Sequence, residues 1–129
     1  MYTFLLVILG ILSSQENSTI DYASQIQPIF DASCTSCHGN TNGAGGLSLT
    51  SYENLMAGGN SGDVVIPGDY SYSILWAYVN SGDMPPGDND LTDSEVDLIS
   101  QWIDEGALQN ATTVCNDDYT FIDGNLFTF

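Results

Sequence analysis

Cys34-Thr35-Ser36-Cys37-His38 contains two of the three cysteines and the only histidine in this 129-residue chain. The spacing is C-x-x-C-H, the pattern for covalent attachment of a c-type haem. Thiols three residues apart are separated by about one helical turn, so both can face the same edge of a flat macrocycle. Each can form a thioether to one porphyrin vinyl group. His38 follows directly and brings its imidazole under the iron as the proximal ligand. Three other readings stand beside this one. A redox disulfide of thioredoxin type needs a βαβ context that is absent here. A zinc site would have only Cys115 and no second histidine to complete a tetrahedron. A plain structural disulfide asks nothing further of the sequence.

Length and a hydrophobic content of 43% indicate one domain with a packed core. The charge balance restricts partners more sharply. There are 17 acidic residues and no lysine or arginine, a formal charge of −17. Nothing can neutralise phosphate, which excludes nucleic acid and disfavours anionic lipid headgroups. A redox protein with a basic surface would be steered in at low salt. An acidic surface that aids solubility in salty water is the equally simple alternative. Haem propionates, without arginine or lysine to pair with, must be solvated or held by neutral donors such as tyrosine, tryptophan, serine, asparagine or backbone amides. Surrounding negative charge favours the ferric state and pushes the reduction potential down.

Phe4 to Leu12 is an almost unbroken apolar run followed by Ser13-Ser14-Gln15. Residues 1–14 fit the apolar core of a secretory signal, although a positively charged start is missing. The run is too short to span a bilayer. The expected location is therefore outside the cytoplasmic membrane, periplasmic or at the cell surface. Residues 15–21 read as a polar linker.

Tyr22, Ile26, Ile29 and Phe30 recur at helical spacing and lead into the haem motif, with Pro28 either starting or kinking that helix. Gly39 to Gly46 predicts an irregular loop that lets backbone pass close to a flat ligand. Thr50-Ser51-Tyr52-Glu53 predicts a capping box for a short helix ending near Gly58-Gly59. Val64-Val65-Ile66 predicts an extended segment stopped by Pro67-Gly68. Ser71 to Val79 predicts a helix with Ile74, Leu75, Tyr78 and Val79 on one face and Gly82 as its stop. Thr92-Asp93-Ser94-Glu95 predicts a second capping box, opening a helix with Val96, Ile99, Trp102 and Ile103 inward. Beyond Asn110 the periodicity fades, and Tyr119 to Phe129 alternates in a way that suggests β structure.

A haem iron held by one histidine has an open sixth position. Met84 is the best candidate to fill it. It lies on a proline-stiffened loop between two helices, and a thioether is a soft ligand suited to haem iron. Met56 is the rival, but its short helix suggests apolar packing. Water-bound or open iron is the third option and would permit peroxide or gas chemistry. Cys115 is the odd cysteine, which in an exported chain suggests an intermolecular disulfide, a bridge to a missing region or a free thiol.

These residues together resemble the small c-type cytochrome modules of exported bacterial proteins, the cytochrome c-like and Planctomycete-type families. The resemblance is carried by Ile26-Gln27-Pro28-Ile29-Phe30, Cys34 to His38 with Gly39, Gly45-Gly46-Leu47-Ser48-Leu49 and Gly58-Gly59. It continues through Val65-Ile66-Pro67-Gly68, Ser73-Ile74-Leu75, Met84-Pro85-Pro86, Leu91, Trp102-Ile103 and Gly106-Ala107, covering residues 22–108. It implies an all-α cytochrome c-like fold, with three to five helices around one covalently bound haem c and an irregular tail over residues 109–129. It also implies Cys34 and Cys37 as thioether positions and His38 and Met84 as axial ligands. Many such modules carry basic residues near the haem edge, and this chain has none. The function expected is single-electron transfer through Fe(II)/Fe(III). An open-iron peroxidase-like enzyme is one rival, though it lacks an arginine and a second histidine for O–O cleavage. A haem-bearing interaction module of a larger assembly is the other.

Overall fold

The computed structural model describes residues 19–39 and 43–110, and these residues are helical, with no strand among them. The apolar N-terminal run, Cys115 and the alternating stretch after Tyr119 lie outside the described residues. A π-helical turn, Tyr22–Ile26, runs directly into α1, Gln27–Ser33. Pro28 has no N–H to give to an i−4 carbonyl, and it stands in the first turn of α1, where that loss costs least. Proline therefore starts the α-helix, and the residues ahead of it close in the wider turn. α2 is Tyr52–Met56, α3 is Ile74–Ser81 and α4 is Asp93–Asp104. Short 3₁₀ turns stand at Ala44–Gly46 and Tyr70–Tyr72.

The helix boundaries follow local chemistry. At α4 the Thr92 hydroxyl accepts from the Glu95 amide and the Glu95 carboxylate accepts from the Thr92 amide, the reciprocal box expected there. At α2 the expected box is displaced by one residue. Ser51, not Thr50, is the cap and accepts from the Asn54 amide, so Glu53 sits too early to reach back. Thr50 instead bonds the Ser48 hydroxyl and the Asn54 amide group. The predicted helix from Ser71 also begins late. Asp69 accepts from the Tyr72 amide and closes a 3₁₀ turn, and α3 proper starts after Ser73. Gly82 ends it in the left-handed region at φ 76°.

One core joins these pieces. Phe30, Ile26, Leu55, Ile99, Ile103 and Trp102 are fully enclosed, each contributing about 1.5–3 kcal/mol of apolar burial. Tyr22 lies at its centre, with ring centroids 5.3 Å from Trp102 and 5.2 Å from Tyr52. Burial, reinforced by Asp31 and Glu53, raises the Tyr22 hydroxyl well above the ordinary tyrosine range, and Gln27 accepts its proton at 2.7 Å. Long-range bonds tie α4 and the chain beyond it to the other elements. The Ile20 amide donates to Glu105 (2.7 Å), the Tyr52 hydroxyl to the Ala107 carbonyl (2.9 Å), and the Gly68 amide to the Ile103 carbonyl (2.7 Å). The π turn packs on both α1 and α4, and α3 packs on α4.

Candidate haem site

The C-x-x-C-H stretch continues α1 as one tight turn. The Phe30 carbonyl accepts from both the Cys34 and Thr35 amides, and the Cys34 carbonyl from the Cys37 and His38 amides at 3.2 and 2.9 Å. Gly39 follows because a Cβ at that position would run into the Thr35 carbonyl. Cys34 packs against the core, whereas Cys37 is exposed. Burial pushes the Cys34 thiol up to about 11, with the neighbouring Cys37 and Glu95 adding to the effect. His38 is anchored twice. Its carbonyl accepts from the Leu49 amide at 2.8 Å, and its ring Nδ1 stands 3.3 Å from the Leu47 carbonyl. A carbonyl can only accept, so this contact is a hydrogen bond when Nδ1 carries the proton, which leaves Nε2 with the free lone pair.

A cavity of about 990 Å³ opens beside this turn. That is the upper end of the range for small-molecule sites. Cys34, Cys37 and His38 line it together with Val64, Leu75 and Met84. The Val64 carbonyl accepts from the Leu75 amide, which ties the extended segment to the first turn of α3. The Met84 amide donates to the Tyr78 carbonyl at 3.1 Å, which sets the start of the Met84-Pro85-Pro86 loop against α3. The Met84–Pro85 peptide is cis.

The cavity accounts for an apparent misfit between pattern and burial. Ile74 and Tyr78 occupy the expected apolar face of α3, yet they are 41% and 49% exposed, and Met84 is 37% exposed. All three line the cavity, so their exposure is to a largely apolar surface suited to a flat apolar ligand. The sequence reading grouped Ile74 and Tyr78 on one apolar helix face and gave Met84 as the sixth ligand. Met56, the rival methionine, packs on the core cluster and does not line the cavity.

The residues fit the group that the motif implies. Two thiols and an imidazole share one turn, a thioether lines the same cavity, and the walls between them are largely apolar. Among the described residues no group of three or more His, Cys, Asp or Glu side chains could hold a metal ion. Cys34 and Cys37 are free thiols, so the disulfide readings find no bond there. Sequence reasoning missed the Leu47 carbonyl, which no side-chain pattern encodes. Among the described residues no helix is long and apolar enough to cross a membrane.

No curated protein and no solved structure matches this chain. The sequence model of the family described as Planctomycete cytochrome C does match, over residues 34–88, which run from the first cysteine of the motif past the Met84 loop. That match supports a cytochrome c-like domain over these residues, and the helical architecture is consistent with it.

Proposed function

We propose that this protein is an exported mono-haem c-type cytochrome that carries single electrons and breaks no substrate bond. Cys34 and Cys37 are its thioether anchors, and His38 and Met84 its axial ligands. When bound there, the haem supplies a one-electron Fe(III)/Fe(II) couple. The protein holds the group on one side through a turn fixed by backbone bonds, and keeps water from it with Val64, Leu75 and Val79. The observation that carries this reading is the convergence of the three motif side chains and Met84 on one cavity, although 46 residues separate His38 from Met84.

The charge of −17 selects the partner: a redox protein with a basic face, drawn in by long-range attraction and released as salt rises. The chain has no arginine and one histidine, so no second imidazole or guanidinium is available to assist peroxide cleavage. The test is purification from a host able to mature c-type cytochromes. The protein is expected to be coloured, to keep its pigment in acidified butanone and to give the pyridine haemochrome of thioether-bound haem, with one haem by mass. Colourless protein, or pigment that extracts, ends the proposal.

A further inference from the structure

From the contacts behind His38 we infer that Gly46, Gly59 and Asn60 form a backbone clasp that positions the axial histidine and thereby tunes its donor strength. The inference rests on the haem reading above. The chain of contacts has three links. The Leu47 carbonyl faces His38 Nδ1 at 3.3 Å. Residues 43–47 are closed by the Gly46 amide to the Gly43 carbonyl (2.8 Å) and the Leu47 amide to the Ala44 carbonyl (3.3 Å). That turn is held in turn by the loop after α2, where the Asn60 amide donates to the Gly45 carbonyl at 2.8 Å and Gly59 and Gly62 exchange both backbone bonds at 3.0 Å.

Two glycines make this approach possible. A Cβ on Gly59 would lie 2.8 Å from the Gly45 oxygen and 3.3 Å from Leu47 Cβ. A Cβ on Gly46, whose φ is +70°, would enter the Asn60 side chain. The two loops therefore touch backbone to backbone, and the position of one sets the carbonyl that the other presents to His38. A contact at 3.3 Å is already long for an N–H···O bond, so a displacement of a few tenths of an ångström weakens it strongly. A carbonyl accepting from the far ring nitrogen raises the basicity of the ligating nitrogen, which favours the ferric state. Weakening that bond shifts the balance toward the ferrous state.

The test compares haem-loaded Gly59→Ala and Gly46→Ala with wild type by potentiometric titration and urea unfolding. Gly68→Ala is the control. Gly68 also has a positive φ (+83°), but nothing lies within 4 Å of its added Cβ and it does not line the cavity. Gly59→Ala is expected to move the Fe(III)/Fe(II) ratio at fixed potential toward Fe(II), by up to about tenfold, equivalent to ~59 mV for one electron. Gly46→Ala, whose added Cβ pushes on the Asn60 side chain rather than on backbone and which does not line the cavity, moves it the same way by less. It decides the matter if Gly59→Ala does not fold. Gly68→Ala lowers the unfolding midpoint and leaves the potential in place. An unchanged or lowered potential in the clasp variants, or an equal shift in the control, overturns the inference while retained pigment leaves the haem reading intact. Pigment that extracts from wild type overturns the haem reading and this inference with it.

Discussion

Replacing Met84 separates a ligand from a packing residue, because the structure limits what packing can contribute. Its side chain is 37% exposed, so roughly two-thirds of the 1.5–3 kcal/mol available from burying a methionine is at stake, about 1–2 kcal/mol. Met84→Leu keeps nearly all of that apolar volume and removes the sulfur; Met84→Ala removes both. If Met84 only packs, Leu behaves as wild type and Ala alone is altered. If Met84 ligates the iron, Leu and Ala are altered alike. Both lose the long-wavelength band of ferric methionine ligation, both show a lowered potential, and both bind cyanide rapidly. The assay is the visible spectrum of the ferric protein, a redox titration and a cyanide-binding time course on the three proteins. A Met84→Leu protein that keeps the band and the slow cyanide reaction would refute ligation by this residue.

Three other outcomes follow from the same structure. Thr92→Ala removes the hydroxyl half of the α4 capping box and is expected to cost about 1 kcal/mol, read as a lower urea midpoint; an unchanged midpoint would mean that the box adds nothing. In haem-free protein near pH 9, alkylation is expected at the exposed Cys37 and to spare Cys34, whose thiol is raised to about 11. Neutral thiol is the favoured folded form of Cys34, so its reactivity, and the loss of any stability it contributes, appear as pH climbs from its ordinary value of 9.0 toward 11, and urea should equalise the two cysteines. Raising salt from about 0.01 M to about 1 M shortens the screening length from roughly 30 to 3 Å and should raise the urea midpoint of a chain with 17 acidic residues and no lysine or arginine; a flat response would show that self-repulsion is not felt by the fold.

The parts legible in sequence were those written in side-chain type at fixed spacing. The Thr92–Glu95 box, the Gly82 stop and the inward row Ile99, Trp102 and Ile103 all stand where pattern placed them. The C-x-x-C-H turn and Met84, both singled out from sequence, line one cavity. What escaped was decided between segments. Thr50 and Ser51 are equivalent caps by composition, and only the approach of Ser48 and Asn54 draws Thr50 out of that role. The apolar face of α3 could not reveal that all four of its residues would line one cavity, with Leu75 and Val79 buried and Ile74 and Tyr78 half exposed. Gly59 and Gly46 are visible as glycines, but the need for them lies in a neighbouring loop that local sequence does not name.

The two side chains proposed as axial ligands are held with different stiffness. His38 is stitched to residues 47–49 by a main-chain rung and a ring contact, whereas Met84 has a single main-chain bond to α3 and a side chain exposed to the cavity. Any breathing of the holoprotein should therefore start on the sulfur side. Small exogenous molecules would enter by that door, leaving the imidazole in place, and the rate of their arrival would report how often the proline loop swings aside.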